Sequence, residues 1–145
     1  MVDTLTPDQR SERMSRIRSG NTKPEVALRR ALHRLGLRFR LHGRLLPGKP
    51  DIVLPRYKTA IFVHGCFWHR HAGCKVATTP KTNTNFWLEK FDRNVKRDAK
   101  VVKQLQDTGW DVTIAWECEI DSEAKATDVA VRIAEGLRPR QHEVP

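Results

Sequence analysis

Apolar residues recur at helical and strand periods along most of the chain. Leu28, Ala31, Leu32 and Leu35 fall at i, i+3, i+4 and i+7, which is one stripe of an amphipathic helix. Thr22-Lys23-Pro24-Glu25 is its start signal: a threonine cap, a proline in the first turn and an acid at the capping-box position. Gly36 stops it, and Arg29, Arg30 and Arg34 lie largely off the stripe. Residues 39–41 and 51–54 form short strands by their apolar content, and residues 59–63 a third. Only Pro55-Arg56-Tyr57-Lys58 separates the last two, so they form an antiparallel hairpin. Over residues 85–108, Leu88, Phe91, Val95, Val102 and Leu105 mark the apolar stripe of a long helix, closed by Gly109. Residues 110–116 (WDVTIAW) are the next strand. A strand, long helix, strand run needs a crossover, so this strand lies parallel to one of the hairpin strands. Val129, Ile133 and Leu137, four apart, predict a last helix over 125–137. The order describes an α/β fold: a small mixed sheet with helices on its faces.

One further helix is predicted near the start. Thr6-Pro7-Asp8-Gln9 opens it and Gly20-Asn21 ends it. Its apolar positions are Met14 and Ile17, set among Arg10, Arg13, Arg16 and Arg18. Such a segment is either an arm laid on a partner or a docked surface helix.

Composition narrows the class. The 145 residues suit one domain with a single core, and 39% hydrophobic with 30% charged residues is a globular balance. No apolar run approaches the roughly 20 residues that cross a bilayer, and MVDTLTPDQRSERM has no apolar signal core. The expected compartment is the cytoplasm. Net charge is +10, and it is unevenly spread. Residues 1–50 hold 12 Lys/Arg against 4 Asp/Glu, whereas residues 101–145 hold 5 against 9. That asymmetry is either a solvated basic surface or a field aimed at a polyanion.

Candidate chemistry concentrates in VHGCFWHRHAGC, residues 63–74. Cys66, His71 and Cys74 are spaced as ligands of one ion, and Cys118, after the last strand, is a distant fourth. Three thiolates and an imidazole form a closed tetrahedral set, the pattern of structural zinc. The alternative is three reduced, unligated cysteines. Asp51, behind Gly48-Lys49-Pro50, is either a turn residue or a carboxylate that reaches the His64 end of the neighbouring strand, where Mg²⁺ could sit. Glu25 belongs to its helix cap and can also serve a site. His64 and His69 remain for proton transfer or as ordinary surface histidines. The pairs Phe67-Trp68 and Phe86-Trp87 are either core or a wedge that enters a base stack.

Three segments together, GKPDIVLPRYKTAIFVHGCFWHRHAGC, NFWLEKFDRNVKRD and GWDVTIAWEC, resemble the bacterial very short patch repair (Vsr) endonucleases. The resemblance runs from about residue 13 to residue 118. It implies a restriction-endonuclease-like core and nicking of duplex DNA 5′ of the thymine in T:G mismatches left by 5-methylcytosine deamination. It further implies Mg²⁺ on Asp51 and the Val63 carbonyl, with His69 as the proton-transfer residue and Glu25, His64 and Asp98 in support. Cys66, His71, Cys74 and Cys118 would hold structural Zn²⁺. Phe67, Trp68 and Trp87 would intercalate, and the basic arm of residues 1–20, around Met14 and Ile17, would reach the opposite groove. The usual acid and lysine of this nuclease fold are missing, because Phe62-Val63-His64 stands where they would be. The implied partners are mismatched DNA, mismatch-repair proteins and, functionally, a cytosine-5 DNA methyltransferase. The implied form is a monomer at the nucleoid in the bacterial cytoplasm. Residues 119–145, beyond the resemblance, are expected to form a C-terminal helix and tail.

Overall fold

A computed structural model describes residues 22–75 and 77–137. The predicted arm, with Met14 and Ile17, and the end of the tail lie outside the described residues.

Helix α1 spans Lys23–Arg34. The Glu25 backbone N–H donates to the Thr22 hydroxyl at 3.4 Å, so the predicted cap forms. Its other end departs from expectation. The helix stops at Arg34, and Leu35 is 44% exposed instead of closing the apolar stripe. Gly36 turns left-handed (φ +82) and the Leu37 N–H donates back to the Leu32 carbonyl at 3.2 Å. This reversal buries Leu37 in place of Leu35.

Four strands follow: β1 (Arg40–Leu41), β2 (Ile52–Leu54), β3 (Thr59–His64) and, after the long helix α2 (Thr84–Asp107), β4 (Asp111–Trp116). The sheet order is β1-β2-β3-β4; the first three alternate antiparallel, and β4 runs parallel to β3 as the crossover argument requires. The β2–β3 turn is a single short helical turn, Pro55–Tyr57, released by a left-handed Lys58 (φ +47). Ile52 pairs with Ile61 and Leu54 with Thr59, which places Asp51 opposite Phe62. Helix α3, Glu123–Gly136, is capped by Ser122, whose hydroxyl accepts the Lys125 N–H.

Alternation along the strands separates two faces. Ile52, Leu54, Ile61 and Ala115 meet Leu28, Ala31 and Leu32 of α1 and Ala126, Val129, Ala130 and Ile133 of α3. Ala60 and Phe62, on the other face, pack with Leu105 of α2, joined by Val101, Val112 and Ile114. Helices thus cover both faces of the sheet. No helix among the described residues is long and apolar enough to cross a membrane.

The buried face of α2 keeps Phe91 and Leu105 of the predicted stripe but not the rest of it. Leu88 and Val95 are 49% and 44% exposed. The inward face instead carries Trp87, Phe91, Asn94, Asp98, Val101 and Leu105, in alternating steps of four and three. Two polar residues in the middle of that face hide it from an apolar template, which then drifts to the solvent-facing valine and leucine.

Gly48 shows how tightly α2 meets the loop between β1 and β2. Its φ is +72, and a Cβ there would lie 2.4 Å from Val101 Cγ1 and 3.2 Å from Phe62 Cε1. Gly48→Ala is expected to cost about 2–4 kcal/mol, through overpacking and a disfavoured backbone. Thermal unfolding checks this, and an unchanged Tm would refute it.

Candidate active site and metal cluster

Because β3 and β4 run parallel in register His64 to Trp116, the chain leaves both strands at the same end of the sheet. The loop after β3 carries the cysteine-histidine motif, and Cys118 lies in the short turn Glu117–Glu119 directly after β4. Two regions far apart in sequence therefore meet with little chain to order. The loop folds on itself: the His69 N–H donates to the Gly65 carbonyl, and the His71 N–H to the Cys66 carbonyl, both at 3.1 Å.

The ligand atoms of Cys66, His71, Cys74 and Cys118 all lie within 4.8 Å of one another, and His71 Nδ1 is 3.3 Å from Cys118 Sγ. Tetrahedral coordination with bonds of about 2.0–2.3 Å spaces its donor atoms roughly 3.3–3.8 Å apart, so the residues fit one ion. Their electrostatics agree. Burial pushes the Cys66 thiol up. Burial, and then the neighbouring Cys66 and Cys74 thiols, push Cys118 up to about 12. A cation bound there would take the place of the thiol protons of Cys66 and Cys118.

A second group faces α2. Asp51, just before β2, accepts the Val63 N–H on Oδ2 at 2.7 Å, which aims its carboxylate at the end of β3. His69 Nδ1 lies 2.6 Å from Asp98 Oδ2, a short charge-assisted contact that fixes the ring. His64 stacks on His69 with centroids 3.8 Å apart and planes 8° from parallel. His64, His69 and Asp98 are close enough to share an ion. Parallel rings this far apart have no common plane, however, so their lone pairs do not aim at one centre. The arrangement suits proton transfer better. Asp51, His64, His69 and Asp98 line one cavity of about 220 Å³, together with Lys49 and Arg97. A larger depression, about 590 Å³, lies between the open side of β4 and α3; it holds no such convergence of imidazoles and carboxylates.

Glu25 is not among the residues that line this cavity. It is 2% exposed and pairs with Arg29 at 3.1 Å on α1. The aromatic pairs meet one another. Trp68, Trp87 and Phe91 are buried in one cluster, with Phe67 and Phe86 half-buried beside it. The Phe67 and Phe91 rings are 5.1 Å apart, edge to face.

Two anchors of the loop escaped the sequence. The Arg70 guanidinium donates to the carbonyls of Phe67, Ala77 and Thr78 at 3.0–3.1 Å and sits 4.0 Å over the Phe91 ring. Burial lowers its pKa. Its partners are backbone carbonyls, which no local pattern announces. Asn94 Nδ2 donates to the Trp68 carbonyl at 3.3 Å, pinning the loop to α2. Asn94 and Asp98, four apart between Phe91 and Leu105, did carry a signal: polar residues at core spacing.

Carboxylates, imidazoles and cations converging at one end of a sheet, in a strongly basic α/β protein, are the equipment of a nuclease. The family model of the DNA mismatch endonuclease Vsr matches residues 2–75. A type II nicking enzyme, V.XorIIP, from Xanthomonas oryzae is 46% identical over 120 residues, 83% of this chain and 88% of its own length. The nicking enzyme V.NmeAIP of Neisseria meningitidis is 46% identical over 124 residues, 86% of this chain and 88% of its own. The DNA mismatch endonuclease Vsr of Escherichia coli is 43% identical over 131 residues, 90% of this chain and 83% of its own. The chain belongs to the Vsr family of DNA mismatch endonucleases, and it is a DNA endonuclease that acts on DNA.

Proposed function

We propose that this endonuclease nicks duplex DNA on the 5′ side of the thymine in T:G mismatches that arise from 5-methylcytosine deamination, and so starts very short patch repair. The observation that carries the reading is one cavity in which Asp51 stands with a histidine, His69, already held by Asp98. The fold is read as restriction-endonuclease-like, which the mixed sheet with helices on both faces supports.

Asp51 and the Val63 carbonyl would hold Mg²⁺. When bound, the ion supplies Lewis-acid stabilisation of charge on the phosphoryl oxygens. The chain's own residues do the rest. His69 takes the proton of the attacking water, and Asp98 keeps the ring oriented and its tautomer fixed. His64 supports the His69 ring by stacking on it. Glu25, held in α1 by its pair with Arg29, would support the site from that helix. Cys66, His71, Cys74 and Cys118 would hold Zn²⁺ as a structural ion, because four protein ligands leave no open position.

Selectivity rests on unstacking, which costs a few kcal/mol and costs least at a mismatch. Phe67 at the rim of the aromatic cluster, with Trp68 and Trp87 behind it, would enter the opened step. Met14 and Ile17 of the basic arm would grip the other groove. The enzyme would work as a monomer in the bacterial cytoplasm, at the nucleoid. A cytosine-5 methyltransferase would create its substrate and mismatch-repair proteins would cooperate with it; bacterial nicking and mismatch endonucleases among the relatives support that setting.

The test is a matched pair of duplexes, one with T:G and one with T:A, incubated with protein and Mg²⁺. The expected product is a single nick in the thymine strand of the mismatched duplex. Equal nicking of both duplexes would remove the mismatch specificity.

A further inference from the structure

The cavity poses an electrostatic problem. Asp51 and Asp98 both line it, and a phosphodiester entering it is an anion whose negative charge grows towards the transition state. The lining residues that carry fixed positive charge are Lys49 and Arg97. Lys49 approaches from the loop before β2, not from β3, and its backbone is unusual. It is left-handed at φ +49, a conformation that residues with a Cβ adopt rarely and that tends to persist at functional sites.

The surroundings hold it there. On one side Gly48 lies against Val101 and Phe62 with no room for a side chain. On the other, Pro50 is fully buried and its carbonyl accepts the Gly43 N–H at 2.9 Å. The Lys49 N–H itself donates to the Leu46 carbonyl at 3.1 Å. The backbone is thus pinned at the cavity wall, while Lys49 itself is exposed.

We propose that Lys49 is a catalytic residue: its ammonium, with the Arg97 guanidinium of α2, binds the scissile phosphate and stabilises the charge that develops on its non-bridging oxygens. The role rests on the hydrolytic reading of the cavity given above. No bond to Lys49 forms or breaks. It supplies from the β1–β2 loop the positive charge that Phe62-Val63-His64 does not offer from β3.

Lys49→Gly is the informative variant, because glycine accepts φ +49 without strain while the side chain and its charge are removed. Single-turnover nicking of the T:G duplex at saturating protein is expected to fall about 10²–10³-fold, as for removal of one transition-state donor. The Tm should not fall, and affinity for the intact duplex should weaken less than the rate does. Lys49→Arg, which restores a cation, should recover most of the rate. A Lys49→Gly protein that nicks at the native rate would overturn the proposal, as would a Lys49→Arg protein as slow as the glycine variant. Native protein that cleaves neither duplex would overturn the hydrolytic reading itself and this role with it, which separates the two failures.

Discussion

Asp51→Asn is expected to give a folded protein that binds DNA and does not nick it. The amide oxygen of asparagine can still accept the Val63 N–H that Asp51 Oδ2 now receives at 2.7 Å, so the β2–β3 junction survives. What disappears is the negative charge that, in the proposed mechanism, would hold a divalent cation beside the scissile phosphate. Loss of that charge should lower the nicking rate on the order of 10³-fold or more, since metal and electrostatic stabilisation supply most of the barrier reduction in phosphodiester hydrolysis. Thermal unfolding and duplex binding should stay near native values. Substantial nicking by this variant, over a range of Mg²⁺ concentrations, would move the metal away from Asp51.

Cys118→Ser acts through the other group. A serine hydroxyl is a poor replacement for a thiolate, so purified variant protein should carry much less than one zinc per chain, against one in the native protein. The sheet and its two apolar clusters do not depend on that ion, so the protein should still fold. The loss should nevertheless be on the order of 3 kcal/mol, comparable with removing a disulfide staple, or about 10 °C in Tm for a chain of this size. Nicking should fall with it, because His69 stands between Cys66 and His71 in the loop the ion would clamp. Metal analysis decides the matter: full zinc content in Cys118→Ser would take Cys118 out of the cluster.

Much of the architecture was legible because its signals are local. Thr22 and Glu25 announced the start of α1, the short break over residues 55–58 announced the hairpin, and the length of α2 forced β4 to run parallel. The hairpin also placed Asp51 correctly, since register follows directly from a tight turn. What escaped depends on contacts between distant residues. The inward face of α2 was legible at Phe91 and Leu105 but not between them, because Asn94 and Asp98 sit on it to hold the loop, and polar residues in a buried row look like its edge. Leu35 was placed inside because helical spacing continues on paper where Gly36 turns the chain. Arg70 and Lys49 gave no sign at all. One is defined by carbonyls it reaches across a loop, the other by a left-handed backbone that tertiary packing imposes. The roles of His69 and Asp98 came from family resemblance; their pairing across 29 positions is a tertiary contact.

Trp116 ends β4 between the two groups. Its indole lies face to face with His71, 4.3 Å between centroids and 8° from parallel, and edge-on to His64 at 5.3 Å and 74°. Indole emission is sensitive to the charge and electron demand of a ring in contact with it. The molecule therefore contains its own optical probe: ion loading would be felt on one side of a single fluorophore and events at the proposed cutting centre on the other, and comparison with Trp116→Phe would isolate its signal from the remaining tryptophans.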